Sequence, residues 1–296
     1  MARPRPWWRW FSQPELSTER VDEAHPIQPA HEPPKPAPAS EQPAPGSEPP
    51  DVAVWALGPL RVQTADCVPV CWGGQRARTL FQYLLLHDRP VHREVLMELF
   101  WPGLPLSSAR GNLNVCVYGV RRALGGGSPG FVTYRDGCYS LNRRRFWSID
   151  RERFLQAADQ TRQECASGRL DHALAAGWRA ATEYGGPLFE DDPNADWCTP
   201  ERERLRELLL RTLECLGEVC LQLADHENAI LVLERALRED ACRESAHRAL
   251  MTCFALRGQR DQVVRQFHRC TSYLDRELDV TPSNETVDLF HRLVSG

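Results

Sequence analysis

The chain has 296 residues, 42% of them hydrophobic, and a formal net charge of −4 at pH 7. That length and composition suit one or two globular domains that fold without disulfides or metals. No run of 18 apolar residues occurs, which excludes a predicted transmembrane helix, and the only lysine is Lys35, which excludes a Walker A nucleotide-binding loop.

Charge is unevenly distributed along the chain. Residues 1–51 carry 5 Lys+Arg and 8 Asp+Glu, net −3; residues 52–147 carry 12 and 5, net +7; residues 148–296 carry 19 and 27, net −8. We therefore predict two globular domains, at 52–147 and 148–296, of which the basic one meets a polyanion.

Residues 1–51 are predicted to be a disordered N-terminal tail with a Pro-rich linker, since residues 12–51 contain 11 of the 23 prolines. Before the linker stands RPRPWWRWF, residues 3–11, with three Trp and three Arg. This peptide could insert its rings at an anionic membrane interface, dock on a partner, or be an unstructured tail; the unstructured tail is favoured over membrane contact.

From residue 52 short β-like runs give way to helical spacing. The predicted strands are 52–57, 59–62 and 67–72, and the predicted helices are 76–87 and 93–100. The apolar residues expected to be buried are Leu80, Phe81, Leu84 and Leu85 in the first helix and Val95, Leu96, Leu99 and Phe100 in the second.

A third helix is predicted in ARGNLNVCVYGVRRALGG, residues 109–126, with Ser107 or Ser108 as N-cap and glycines from Gly125 at its end. Its core-facing residues are Ala109, Leu113, Cys116, Val120 and Leu124. The opposite face has no acidic residue, so it is either an ordinary basic surface or the surface that meets the polyanion.

The segment FVTYRDGCYSLN, residues 131–142, predicts a hairpin that turns at Asp136-Gly137. Three short helices followed by a hairpin are the elements of a winged helix. Residues 52–147 resemble the DNA-binding domain of OmpR-type response regulators, in the variant found in the Streptomyces antibiotic regulatory proteins. The segments that carry the resemblance are 78–102, 108–125 and 136–142.

A winged helix places its third helix in the major groove and is oriented by phosphate contacts. The expected base contacts are Asn112, Asn114, Val115 and Tyr118, and the expected phosphate contacts are Arg76, Arg78, Arg110, Arg121, Arg122 and Arg135. Each arginine could instead be an ordinary solvated side chain. Where OmpR-type relatives often carry arginines in the middle of this helix, this chain has Tyr118 and Gly119.

Residues 148–296 are predicted to be helical throughout, with small and large apolar residues at the offsets of tetratricopeptide units. The residues of this scheme are Leu216, Gly217, Cys220, Ala229, Leu233, Ala236, Leu250, Cys253, Val263, Phe267 and Cys270, with a more divergent unit at 168–181. The region resembles the bacterial transcriptional activator domain, most clearly at 187–210 and 281–290. The expected fold is mostly α with a small β component: a winged helix-turn-helix followed by an all-α tetratricopeptide-like repeat domain.

Eleven cysteines, an odd number, stand mostly at apolar positions, and residues 1–30 lack the apolar core of a signal peptide. We expect reduced thiols in the core of a cytoplasmic protein. Structural zinc is the alternative, but the spacings Cys67 to Cys71 and Cys215 to Cys220 lack a second matching pair.

The acidic stretch FEDDPNADW, residues 189–197, could hold a hard cation through its carboxylates, which are Glu190, Asp191, Asp192 and Asp196. The favoured interpretation is a connection between helices, with Thr199 as N-cap of the next helix and Trp197 as a packing anchor. No catalytic residue, metal site or cofactor is predicted, and the chain is expected not to be an enzyme.

Two functions fit these features. The favoured one is a sequence-specific DNA-binding transcriptional regulator, an activator by resemblance, and the family further implies a homodimer on direct repeats of double-stranded DNA. The helical domain is expected to mediate self-association or contact with the transcription machinery, such as RNA polymerase. The alternative is a helical-repeat scaffold whose winged helix binds protein. The net charge of +7 over residues 52–147 favours the regulator.

Overall fold

The computed structural model describes residues 50–65, 70–125 and 130–295, so that the predicted tail and linker lie, up to residue 49, outside the described residues. The strands are β1 (Val52–Trp55), β2 (Arg61–Thr64), β3 (Val91–His92), β4 (Val132–Arg135), β5 (Cys138–Leu141) and β6 (Trp147–Ile149). The helices are α1 (Gln75–Leu86), α2 (Arg93–Phe100), α3 (Leu106–Ala123), α4 (Asp150–Ala166), α5 (Leu170–Glu183), α6 (Thr199–Gln222), α7 (His226–Glu239), α8 (Glu244–Leu256), α9 (Arg260–Leu278) and α10 (Asn284–Ser295). The predicted fold class is confirmed: a winged helix followed by a helical repeat domain.

The strands form two three-stranded sheets. In the first, β1 lies between antiparallel β2 and parallel β6; in the second, β5 lies between β3 and β4, antiparallel to both. The predicted hairpin β4–β5 is confirmed, and its turn has Asp136 at φ 49° and Gly137 at φ 77°. Positive φ at both central residues matches the right-handed twist of the flanking strands, which is why Asp-Gly is favoured there.

Two strand predictions require correction. The run predicted at 59–62 pairs instead as Arg61–Thr64, because Pro59 and Leu60 belong to the turn after β1. Of the run predicted at 67–72, residues 70–72 are not a strand, and residues 67–69 lie outside the described part. Conversely, β3 and β6 were not predicted, because two or three residues are too few to show alternation.

The three helices of the winged helix pack around the predicted apolar residues of α1 and α3, all of which are buried. In α2 the prediction is partly wrong: Leu96 and Phe100 are buried, but Val95 is 51% and Leu99 39% exposed, and Met97 is buried in their place. A helix of eight residues buries only the narrow stripe that touches α3 and the preceding strand β3.

Helices α4 to α9 pack as successive antiparallel neighbours, and every residue of the predicted repeat scheme is buried. Glycines allow the closest approaches: a Cβ built on Gly177 would lie 2.9 Å from a Leu216 methyl, and one on Gly217 2.7 Å from a Leu233 methyl. Helix α10 packs against α8 and α9 at the C-terminal end of the repeats, where Phe290 stacks on Phe267 with ring centroids 4.1 Å apart. Small residues at these positions therefore set the helix spacing.

The expectation of reduced thiols is wrong for one pair. Cys165 of α4 and Cys215 of α6 form a disulfide between helices that pack against each other. The free cysteines among the described residues are Cys71, Cys116, Cys138, Cys198, Cys220, Cys242, Cys253 and Cys270. Burial raises the pKa of Cys220 to about 11 and that of Cys270 to about 12, as befits thiols that pack as small apolar side chains.

Across the described ranges, no helix combines the length and the apolar character that crossing a membrane requires.

Candidate nucleic-acid interface

Helix α3 presents one face to the core and the other to solvent. It contacts α1 and α2, and its buried residues are Ala109, Leu113, Cys116, Val117 and Val120. The predicted serine N-cap is wrong: the helix begins at Leu106 after Pro105, and neither Ser107 nor Ser108 caps it through its side chain. Gly125, at φ 86°, ends the helix as predicted.

The four residues predicted to contact bases all lie on the exposed side of α3. Val115 is 70% and Tyr118 65% exposed, and Asn112 and Asn114 are exposed on either side of them. Gly111, Val115, Tyr118 and Arg122 follow at intervals of four, three and four residues, so they form the centre line of this outer face. Val115 and Tyr118, three residues apart, therefore place two large apolar side chains next to each other on the exposed face.

The six predicted phosphate contacts divide into two groups. Arg110, Arg122 and Arg135 are exposed, and their guanidinium groups make no hydrogen bond or ion pair within the described residues. The other three are held by the protein and are described one by one below.

Arg76 Nη1 donates to the carbonyl of Phe100 at 2.9 Å. Arg121 donates through Nε and Nη2 to the carbonyl of Val132, at 3.3 and 3.1 Å, which fastens the end of α3 to the hairpin. Arg78, whose side chain is mostly buried, is paired with Asp191. These guanidinium groups have structural partners that a solvated arginine lacks.

The hairpin carries a group of aromatic and basic side chains beside α3. Tyr134 stacks against Tyr139 with ring centroids 4.6 Å apart, and Arg93 Nη1 donates to Tyr134 Oη at 3.3 Å. Burial raises the pKa of Tyr139, and the positive charges of Arg93, Arg110 and Arg121 oppose that shift. Three arginines therefore converge where the hairpin meets α3. Sequence reasoning missed Arg93, although its place at the start of α2 was visible.

The acidic segment 189–192 joins the winged helix to the helical region. Besides its pair with Arg78, Asp191 accepts from the Leu60 amide at 3.1 Å, and the amides of Phe189 and Glu190 donate to the carbonyls of Ala56 and Gly58. The segment is a connection between α5 and α6, as predicted, but its carboxylates contact the basic region. No group of three or more His, Cys, Asp or Glu in the described ranges is placed to hold a metal ion.

Two further residues of the helical region stabilise the joint, that is, the contact of segment 189–192 with the winged helix. Arg202 of α6 donates to the carbonyls of Leu188, Phe189 and Asp192 at 2.7, 3.1 and 2.6 Å. Trp197 packs edge-on against Tyr83 of α1, which confirms it as a packing anchor, whereas Thr199 is the first residue of α6 and Cys198 takes the N-cap position.

Asp150, the first residue of α4, is 2% exposed and accepts from the amides of Ala56 and Leu57, each at 2.9 Å, and from that of Arg151 at 2.6 Å. Burial raises its pKa, and the three N–H donors oppose that shift. The hydrophobic core likewise continues from the β1 sheet into α4 to α8. The winged helix and the helical repeats therefore share one core.

The sequence profile of the family described as "Bacterial transcriptional activator domain" matches residues 149–294. Transcriptional regulatory protein MoaR1 of Mycobacterium tuberculosis is 24% identical over 242 residues, which are 80% of this chain and 78% of MoaR1. Regulatory protein AfsR of Streptomyces coelicolor is 24% identical over 241 residues, which are 81% of this chain but only 24% of AfsR.

Among solved structures, Mycobacterium tuberculosis EmbR, in complex with a low-affinity phosphopeptide, matches with a TM-score of 0.72 at 22% identity, over 83% of this chain and 66% of the EmbR chain. At that identity the likeness shows the fold. Residues 149–294 therefore match the bacterial transcriptional activator domain, and the chain, in which a winged helix precedes that region, is similar to regulatory proteins of the Streptomyces antibiotic regulatory protein type.

Proposed function

We propose that this chain is a sequence-specific DNA-binding transcriptional regulator, an activator, whose α3 enters the major groove. One observation carries the proposal: the outer face of α3 exposes amide and large apolar side chains and carries no acidic residue, with Arg110 at its border and Arg122 at the end of its centre line, and neither guanidinium group has a partner within the described part of the chain. A helix with that face is complementary to base edges between two rows of phosphates.

Each exposed side chain then has a role that its chemistry allows. The amides of Asn112 and Asn114 can each donate and accept at adenine, Val115 can contact a thymine methyl, and Tyr118 can reach a base edge or a phosphate. Because Arg76, Arg78 and Arg121 already have protein partners, we assign the first phosphate contacts to the group of Arg110, Arg122 and Arg135.

This division changes the expected dependence on salt. Six phosphate contacts predict that log K falls with log salt at a slope of about −5, whereas three predict about −3. A slope near −3 would mean that Arg76, Arg78 and Arg121 keep their protein partners when DNA binds and do not contact phosphates.

We further propose that residues 52–147 act as the DNA-binding module and residues 148–296 as the activating module, preceded by the tail and linker of residues 1–51. By resemblance, the helical repeats support a homodimer on direct repeats and contact RNA polymerase, and the protein works in the cytoplasm. Support comes from the names of the relatives, MoaR1 and AfsR being regulatory proteins. It also comes from the shared core, since a surface on the repeats keeps a fixed position relative to α3.

Selection of bound duplexes from a random library tests the proposal, followed by footprinting and salt titration on the enriched site. We expect one enriched sequence, protected as two direct repeats, with a slope near −3 for each bound protomer. Asn114→Ala should relax the preference at one base pair, while Arg162→Ala, on the exposed side of α4, should change nothing. Binding that is equal for all sequences, or absent, contradicts the proposal and favours the scaffold function.

A further inference from the structure

The described helices contain four glycines, and at three of them a neighbouring side chain packs so closely that it leaves little room for a Cβ. A Cβ built on Gly177 or Gly217 would come within 3 Å of a leucine side chain, and one on Gly119 would lie 3.0 Å from the Ala77 Cβ. A Cβ built on Gly111 meets no heavy atom within 4 Å in the described part of the molecule. The fold therefore uses three of these glycines for close approach and leaves the fourth without such a contact.

Backbone conformation does not require Gly111 either. It is the sixth residue of α3 and does not have a positive φ. Glycine in a helix interior destabilises the helix relative to alanine, because it loses more backbone freedom on folding and adds no side-chain contact. Considered only as part of the fold, alanine would be the better residue at this position.

The surroundings of Gly111 indicate what its missing side chain leaves room for. It lies on the centre line of the outer face, one turn before Val115 and two turns before Tyr118, and both of these are largely exposed. Its neighbours in sequence, Arg110 and Asn112, are exposed as well. Backbone is thus uncovered between amide, apolar and cationic side chains on the surface proposed to meet DNA.

Resting on the proposed function, we propose that Gly111 is a specificity-determining residue: its missing side chain lets the first half of α3 approach the base edges more closely than any other residue would allow. The close approach brings the amides of Asn112 and Asn114 within hydrogen-bond reach of the bases, while Val115 and Tyr118 contact the groove farther along. A methyl group at this position would hold the helix off the groove floor.

The matched variants Gly111→Ala and Gly119→Ala add the same methyl to the same helix about 80° apart around its axis, Gly111 on the centre line of the outer face and Gly119 on the flank that meets Ala77. We expect Gly111→Ala to raise the Tm of the full chain by about 1 to 4 °C, because it removes the helix penalty of glycine. Its affinity for the selected duplex should fall about tenfold, the size of one lost base contact, with little change on a scrambled duplex. Gly119→Ala should have a lower Tm than Gly111→Ala, because its methyl crowds Ala77, and should bind the selected duplex like the wild type.

Two results would overturn the inference. One is a Gly111→Ala protein that binds the selected duplex as tightly as the wild type. The other is an equal loss on selected and scrambled duplexes, which would place the effect at phosphates and not at bases. In both cases sequence-specific binding by the wild type, and with it the proposed function, still stands; if the wild type selects no sequence, the proposed function itself fails.

Discussion

Arginines are used differently in the winged helix and in the helical repeats. In the repeats, Arg243 bridges Glu207 and Glu214 at 2.9 and 2.8 Å, whereas on α3 Arg110 and Arg122 have no partner within the described residues. The reason lies in the charge ratio: 27 acidic residues face 19 basic ones over 148–296, but only 5 face 12 over 52–147. Where basic residues outnumber acidic ones, some arginines find no carboxylate partner within the same region, and their guanidinium groups remain available to a binding partner.

The largest effect is expected where the two regions join. Asp150→Ala removes the acceptor of the Ala56, Leu57 and Arg151 amides, and should lower the free energy of unfolding by about 3 kcal/mol, roughly 1 kcal/mol for each unsatisfied donor. Urea unfolding of the full chain measures it. Asp159→Ala, an exposed ion-pair partner on the same helix, should cost at most about 0.5 kcal/mol, and an equal loss for both variants would contradict the role of the joint.

Next in size is the loss of the free arginines of the winged helix. The triple variant Arg110→Ala, Arg122→Ala, Arg135→Ala should bind the selected duplex about 100-fold more weakly at moderate salt, and the slope of log K against log salt should flatten by about 2.7 for each bound protomer. Its Tm should stay unchanged, because these side chains have no partner to lose. Arg162→Ala with Arg211→Ala, two exposed arginines of the repeats, is the control; a slope as steep as that of the wild type would place the phosphate contacts elsewhere.

Removing a paired arginine should give the opposite result. Arg243→Ala leaves two partly buried carboxylates without their shared partner, so we expect a loss of about 2 kcal/mol in the free energy of unfolding and an unchanged affinity of the folded protein for DNA. Arg211→Ala, which also contacts Glu207 but is exposed, should cost at most about 0.5 kcal/mol. Weaker DNA binding by the folded Arg243→Ala protein would contradict the distinction between structural arginines in the repeats and DNA-binding arginines in the winged helix.

The smallest effect depends on pH and belongs to the repeats alone. His247 is fully buried: its Nε2 lies 3.0 Å from the Ala241 carbonyl oxygen and its Nδ1 lies 2.7 Å from Gln266 Nε2. Burial lowers the pKa of the imidazole. As pH falls through about 6.5 the unfolded chain takes up a proton that the folded protein does not, so stability present above that pH is lost below it.

Between pH 7.5 and 5.5 the wild type should therefore lose about 1 kcal/mol more than His247→Gln, measured by urea unfolding at each pH. DNA affinity of the folded protein should show no matching difference between the two, since His247 lies in α8 and not in the winged helix. Parallel stability curves for the two proteins would contradict a neutral buried histidine.

Local patterns predicted the regular elements well, and long-range contacts account for the errors. The apolar spacing of α1 and α3 was sufficient because each helix buries a full stripe. Val95 and Leu99 of α2 were placed in the core because periodicity cannot tell which of two apolar stripes finds a neighbour. Strand β6 could not be predicted because its three residues form a strand only through parallel pairing with β1, some 95 residues earlier.

The candidate interface shows the same division. The outer face of α3 could be predicted because a helix fixes the relative directions of its own side chains. Whether an arginine near that face is free could not, since Arg78 and Asp191 are 113 residues apart and the spacing of neither indicates the other. Gly111 became informative only when its surroundings could be compared with those of Gly119.

By itself, the sequence determined the three helices and the hairpin of the winged helix, the basic character of residues 52–147 and the non-acidic outer face of α3, because propensity, periodicity and charge are local properties of the chain. Only the tertiary structure decided which arginines remain without a partner. It also showed that the acidic segment joins the two regions and that no neighbouring side chain requires a glycine at position 111. Those facts depend on which distant residues meet, and local spacing carries no information about such meetings.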